Sequence, residues 1–107
     1  MSAAAPTVTA SFTIPLNHPA LPGHFPGNPV VPGVVVLDRV IRVLAATGVP
    51  LPRLRKLKQV KFIEPLLPGQ EATVTAEVGD TALSFSVTRG DRTIAKGAFE
   101  VGNEFAR

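Results

Sequence analysis

One imidazole, one glycine ahead of an apolar segment and one carboxylate fall within about fifteen residues: His24, Gly33 and Asp38. The stretch from His24 to Gly33 reads His-Phe-Pro-Gly-Asn-Pro-Val-Val-Pro-Gly. An imidazole can take or give a proton near neutral pH. Unpaired N–H groups at a helix start can hold a developing oxyanion. A carboxylate can help a hydroxyl leave. Together these are the parts needed to move a proton beside a carbonyl. Gly23, Pro26, Gly27 and Pro29 flank His24 and restrict its backbone, the kind of rigid support a catalytic base needs. His18, in Asn17-His18-Pro19, reads as an ordinary loop residue.

Asp38 admits two readings. It can pair with Arg42 at i,i+4, a surface geometry worth only about 0.3–0.5 kcal/mol. It can equally face a cleft or a partner subunit. A Pro-Gly helix start at Gly33 lets a ligand come close but is a weak signal alone. No phosphate loop, nucleotide fingerprint, zinc-ligand spacing or paired-cysteine motif is present. Ser11, Ser84 and Ser86 lack a nucleophile-elbow context.

Those residues need elements to position them. Thr7 to Ile14 alternates as a strand, with Val8, Ala10, Phe12 and Ile14 on one face. Five prolines between Asn17 and Pro32 predict a long, stiff loop of the functional kind. Pro32 suits a first helical turn, and Val34 to Ala46 is apolar except at Asp38, Arg39 and Arg42. A helical wheel puts Val34, Leu37, Val40, Ile41 and Leu44 on one side, with the three charges opposite, beside Val35. Gly48 and Pro50 end the helix. Strands are predicted over Leu57 to Ile63, Gln70 to Val78, Leu83 to Thr88 and Thr93 to Val101. Turns fall at Leu66-Leu67-Pro68-Gly69, Gly79-Asp80 and Arg89-Gly90-Asp91. The order predicts an α+β fold, an antiparallel sheet around one buried helix.

The 107 residues fit one domain, 1–107, small enough that an oligomer is plausible. Residues 1–6 carry no signal-peptide pattern and read as a frayed tail. No apolar run approaches a membrane span. The absence of cysteine excludes disulfides and thiol chemistry, and a cytoplasmic location is expected. Net charge is +3, concentrated in Arg53, Arg55, Lys56, Lys58 and Lys61. This run is either a solvated strand edge or a docking patch for an acidic partner. Nucleic acid fits less well, because no aromatic residues interleave with the charges.

The segment His24 to Gly33 with Asp38, followed by Val60-Lys-Phe-Ile-Glu-Pro-Leu-Leu-Pro-Gly69, resembles the hotdog-fold β-hydroxyacyl-acyl-carrier-protein dehydratases. It looks closest to the short thioester dehydratases of the aryl-polyene type. The resemblance implies a hotdog fold, an antiparallel sheet wrapped around one long central helix. It implies removal of water from 3-hydroxyacyl thioesters on acyl carrier protein, giving trans-2-enoyl thioesters, in fatty-acid-like or aryl-polyene synthesis. By match of position, His24 removes the α-proton, and the Val30 carbonyl holds its ring. The Gly33 N–H binds the thioester carbonyl, and Asp38 assists the leaving hydroxyl. No cofactor and no metal are implied. Family members form homodimers or larger assemblies, with histidine and carboxylate of each site on different subunits. Val34, Val35, Leu37, Phe62 and Phe85 are candidates to line an acyl tunnel. Arg53, Arg55, Lys56, Lys58, Arg39 and Arg42 are the carrier-docking candidates. Arg39-Val-Ile-Arg42 departs from the small and apolar residues usual after the family's acid. Two other readings keep the fold: a low-activity subunit completing a heteromeric dehydratase with a second hotdog chain, and a hotdog thioesterase.

Overall fold

The computed structural model describes residues 7–18, 30–48 and 52–105. The elements run β1 (Thr7–Thr13), α1 (Gly33–Ala46), β2 (Pro52–Phe62), β3 (Glu71–Val78), β4 (Ala82–Arg89) and β5 (Arg92–Phe105). The five strands form one antiparallel sheet in the order β1-β3-β4-β5-β2. The α+β architecture read from the sequence is the one observed. The expected tail, residues 1–6, lies outside the described residues.

Period-two alternation builds the sheet's two faces. Val8 and Phe12 of β1, Ala72, Val74 and Ala76 of β3, and Leu83, Phe85 and Val87 of β4 all point into the core. The opposite face carries Thr9, Ser11, Thr73, Thr75, Ser84 and Ser86. Phe85 stacks on Phe99 at 5.5 Å between ring centres. Both are core residues. Gly97, opposite Phe85, has no room for a side chain: a Cβ there would stand 2.7 Å from both the Gln59 carbonyl and the Phe85 ring. Gly69 and Gly90 turn the chain at positive φ, 84° and 62°, where the sequence predicted turns.

The helix differs from the wheel in its buried side. Val35, Val36, Val40 and Leu44 are buried, while Val34 is 74% exposed and Ile41 41% exposed. The buried face is thus rotated toward Val35 and Val36. Almost every position in this segment is apolar, so hydropathy alone could not select the face. Pro32 is the N-cap with extended backbone, not a first-turn residue. Its carbonyl accepts from the N–H groups of Val35 (3.0 Å) and Val36 (3.2 Å). The helix ends at Thr47, whose hydroxyl donates to the Leu44 carbonyl at 2.8 Å, and Gly48 follows at φ 80°.

Strand β2 begins five residues before its predicted start and takes in the whole basic run. Beyond an irregularity between Pro52 and Leu54, its register with β5 slips between Leu54 and Lys56 and again between Leu57 and Gln59. Arg55 and Lys58 are the extra residues at these two bulges. Bulges break the period-two pattern, which is why the sequence hid the first half of this strand. From Gln59 to Phe62 the pairing is regular, onto Ala98 through Ala95.

Candidate active site at the start of the helix

The start of α1 is where sequence and structure converge. Among the described residues no side chain caps it, and no acidic residue occupies its first turn. With Val35 and Val36 bonded to Pro32, the N–H groups of Gly33 and Val34 have no acceptor within the helix. They carry the positive end of the helix dipole, which favours a ligand oxygen bearing developing negative charge. Val30 and Val31 lead into this turn, and the Val31 N–H is tied to the Leu66 carbonyl at 2.8 Å. The segment Glu64-Pro65-Leu66 therefore braces the strand-like approach to the helix.

The glycine at position 33 serves a neighbour that the sequence did not reveal. A Cβ on Gly33 would stand 2.7 Å from Cζ of Phe62 and 3.0–3.1 Å from its Cε atoms. The space freed by the missing side chain is filled by a phenyl ring from the end of β2, not left open for a ligand. The Phe62 ring is itself 47% exposed. It also borders a cleft of about 270 Å³ whose walls include Val30, Val36, Ile63, Leu66 and Ile94.

Glu64 also lines this cleft, and sequence reasoning passed over it as a strand end. Its two carboxylate oxygens meet Arg92 Nε and Nη2, each at 2.9 Å. This two-point pairing neutralises the acid beside the cleft and joins the end of β2 to the start of β5.

Asp38 lies about 7.5 Å further along the axis, at 1.5 Å per residue. Arg42 Nε donates to its Oδ2 at 2.8 Å, with side-chain exposures of 58% for Asp38 and 70% for Arg42. The surface pair foreseen at i,i+4 is formed. Its setting is not an ordinary solvated face, because Val34, Ile41 and Asp38 share one exposed side of the helix. Arg39 is half-buried on the other flank, and its Nε is buried with no hydrogen-bond partner among the described residues.

His24 lies in 19–29, outside the described residues. The structure brings Val30, Gly33 and Asp38 onto one helix and its approach. His18 is half-buried, its N–H donating to the Pro15 carbonyl at 3.1 Å. Arg53, Arg55, Lys56, Lys58 and Lys61 are all exposed on β2. Arg55 and Lys58 stand with Thr81 and Glu100 around a shallow recess, and Lys56 Nζ is 3.8 Å from Glu100. Among the described residues, no helix is long and apolar enough to cross a membrane.

Comparison with known proteins places this arrangement. A 3-hydroxyacyl-acyl-carrier-protein dehydratase FabZ of Thermomicrobium roseum is 28% identical over 88 residues, covering 76% of this chain and 59% of that protein. The chain spans between 52% and 68% of the length of four curated relatives it matches. A chain of the dehydratase heterocomplex ApeI:P from Xenorhabdus doucetiae superposes with a TM-score of 0.74 at 23% identity, covering 98% of this chain and 90% of that one. The fluoroacetyl-CoA-specific thioesterase FlK superposes with a TM-score of 0.65 at 20% identity, covering 94% and 86%. These likenesses establish the hotdog fold. The model of the ApeI dehydratases matches residues 1–98, and the chain belongs to this ApeI-like dehydratase family.

Proposed function

We propose that the chain removes water from 3-hydroxyacyl thioesters presented on an acyl carrier protein, giving trans-2-enoyl thioesters. The observation that carries this reading is the start of α1, which among the described residues has no side-chain cap and lies beside an apolar cleft, with the Gly33 N–H lacking an acceptor within the helix. A thioester carbonyl placed there acidifies its α-carbon. His24 takes the α-proton, and the enolate-like charge rests on the Gly33 N–H and the helix dipole. Asp38, directly or through water, helps the 3-hydroxyl leave, and the proton taken by His24 departs with it as water. No cofactor is required, because the thioester itself stabilises the charge that forms.

The same reading supplies a partner for the exposed apolar residues. The free edge of β2 is regular only over Gln59–Phe62. Phe62, Val34 and Ile41 are all substantially exposed, with Phe62 seated at the helix start. A second hotdog chain covering that edge and helix side completes the site, bringing Asp38 of one subunit toward His24 of the other. The cations of β2, all exposed and with Arg55 and Lys58 at its bulges, dock the acidic carrier. The thioesterase reading draws on a structural likeness alone, whereas the dehydratase reading also draws on sequence relatives.

The test is incubation with a 3-hydroxyacyl-carrier thioester, following enoyl product and free thiol together. Enoyl product without thiol release supports the dehydratase. Rapid thiol release without enoyl product supports the thioesterase.

A further inference from the structure

We propose that Phe62 is a specificity-determining residue, its ring forming the wall that limits the site to a short apolar acyl tail. The proposal rests on the dehydratase reading for the placement of the thioester carbonyl at Gly33. Phe62 borders both places that matter. On one side its ring lies against Gly33 so closely that a Cβ would overlap it at 2.7 Å. On the other it lines the cleft of about 270 Å³. The ring is thus shared by the helix start, where the carbonyl is placed, and the cleft.

The cleft suits an apolar tail and little else. Its walls are Val30, Val36, Ile63, Leu66 and Ile94, and its one carboxylate, Glu64, is held by Arg92. The volume lies just below the range of about 300–1,000 Å³ usual for small-molecule pockets, so a short chain fills it. The walls are fixed by backbone bonds rather than by side chains alone. Ile63 and Glu64 N–H both donate to the Ile94 carbonyl, at 2.8 and 3.2 Å, and Val31 N–H donates to Leu66. The half-exposed ring is thus the soft boundary, standing on a free edge where nothing in the chain's own sheet packs behind it.

Phe62→Ala opens the cleft toward the β2 edge, and Phe62→Trp closes it further. The experiment measures kcat/KM for 3-hydroxyacyl-pantetheine thioesters of increasing length. In parallel, calorimetry measures affinity for the matching saturated acyl-pantetheines. For Phe62→Ala the long-to-short ratio of kcat/KM rises about tenfold, and for Phe62→Trp it falls by a similar factor. Phe62→Leu, which keeps an apolar side chain on the strand, gives a shift between wild type and alanine and decides the matter if the alanine variant does not fold. Parallel changes at all lengths in every variant overturn the proposal. If the wild type shows no turnover yet the binding preference moves with residue 62, the dehydratase reading fails and the selectivity wall stands. If turnover is present and neither preference moves, Phe62 fails alone.

Discussion

Gly33 is held to glycine by a side chain rather than by a ligand. With the Phe62 ring against its Cα, Gly33→Ala forces overpacking of about 1–3 kcal/mol. Urea unfolding is expected to show that loss, and Phe62→Ala in the same chain to recover most of it. A loss unchanged in the double variant would mean that the ring is not what crowds position 33. Asp38 gives a different separation. Its pair with Arg42 is exposed, so Asp38→Asn should cost less than about 0.5 kcal/mol of stability. If it also lowers turnover, the carboxylate has a role that its surface pair does not explain. The sequence displayed Gly33 and Asp38 because their residue types are unusual for their surroundings. It offered Phe62 only as a tunnel-lining candidate through the family resemblance, and it did not single out Glu64. Their significance comes from contacts with Gly33 and Arg92, which only the folded sheet and helix bring about.

At the scale of elements, the strands were the most legible part. Alternation in β1, β3 and β4 is clean because one face is packed and the other solvated. The helix was legible as a helix but not in its orientation. Valine at 34, 35 and 36 offers three faces of equal hydropathy, and only the packing against the sheet selects Val35 and Val36. Leu44, fully enclosed, should cost about 2–5 kcal/mol as Leu44→Ala. Ile41, substantially exposed, should leave the fold intact as Ile41→Glu while abolishing assembly, as read by analytical ultracentrifugation. An Ile41→Glu chain with unaltered mass would show that this side of the helix is not covered by a partner. Strand β2 was half legible, since bulges at Arg55 and Lys58 remove the alternation that marks a strand.

For the whole molecule, charge and symmetry matter more than any single contact. The net charge of +3 is carried largely by one exposed edge strand. Affinity for an acidic carrier should therefore fall steeply as salt is raised, because exposed charges are screened over about 8–10 Å at physiological ionic strength. Equal affinity at low and high salt would remove β2 as the docking surface. In the proposed dehydratase one hotdog chain carries base, oxyanion donor and acid, shared between subunits. The most direct test of this assignment is the rate of enoyl-thioester formation from a 3-hydroxyacyl-carrier thioester by wild type, His24→Ala and Asp38→Asn. The account predicts steady enoyl formation by the wild type and a loss of about a hundredfold or more in each variant. Wild-type rates in both variants would contradict it.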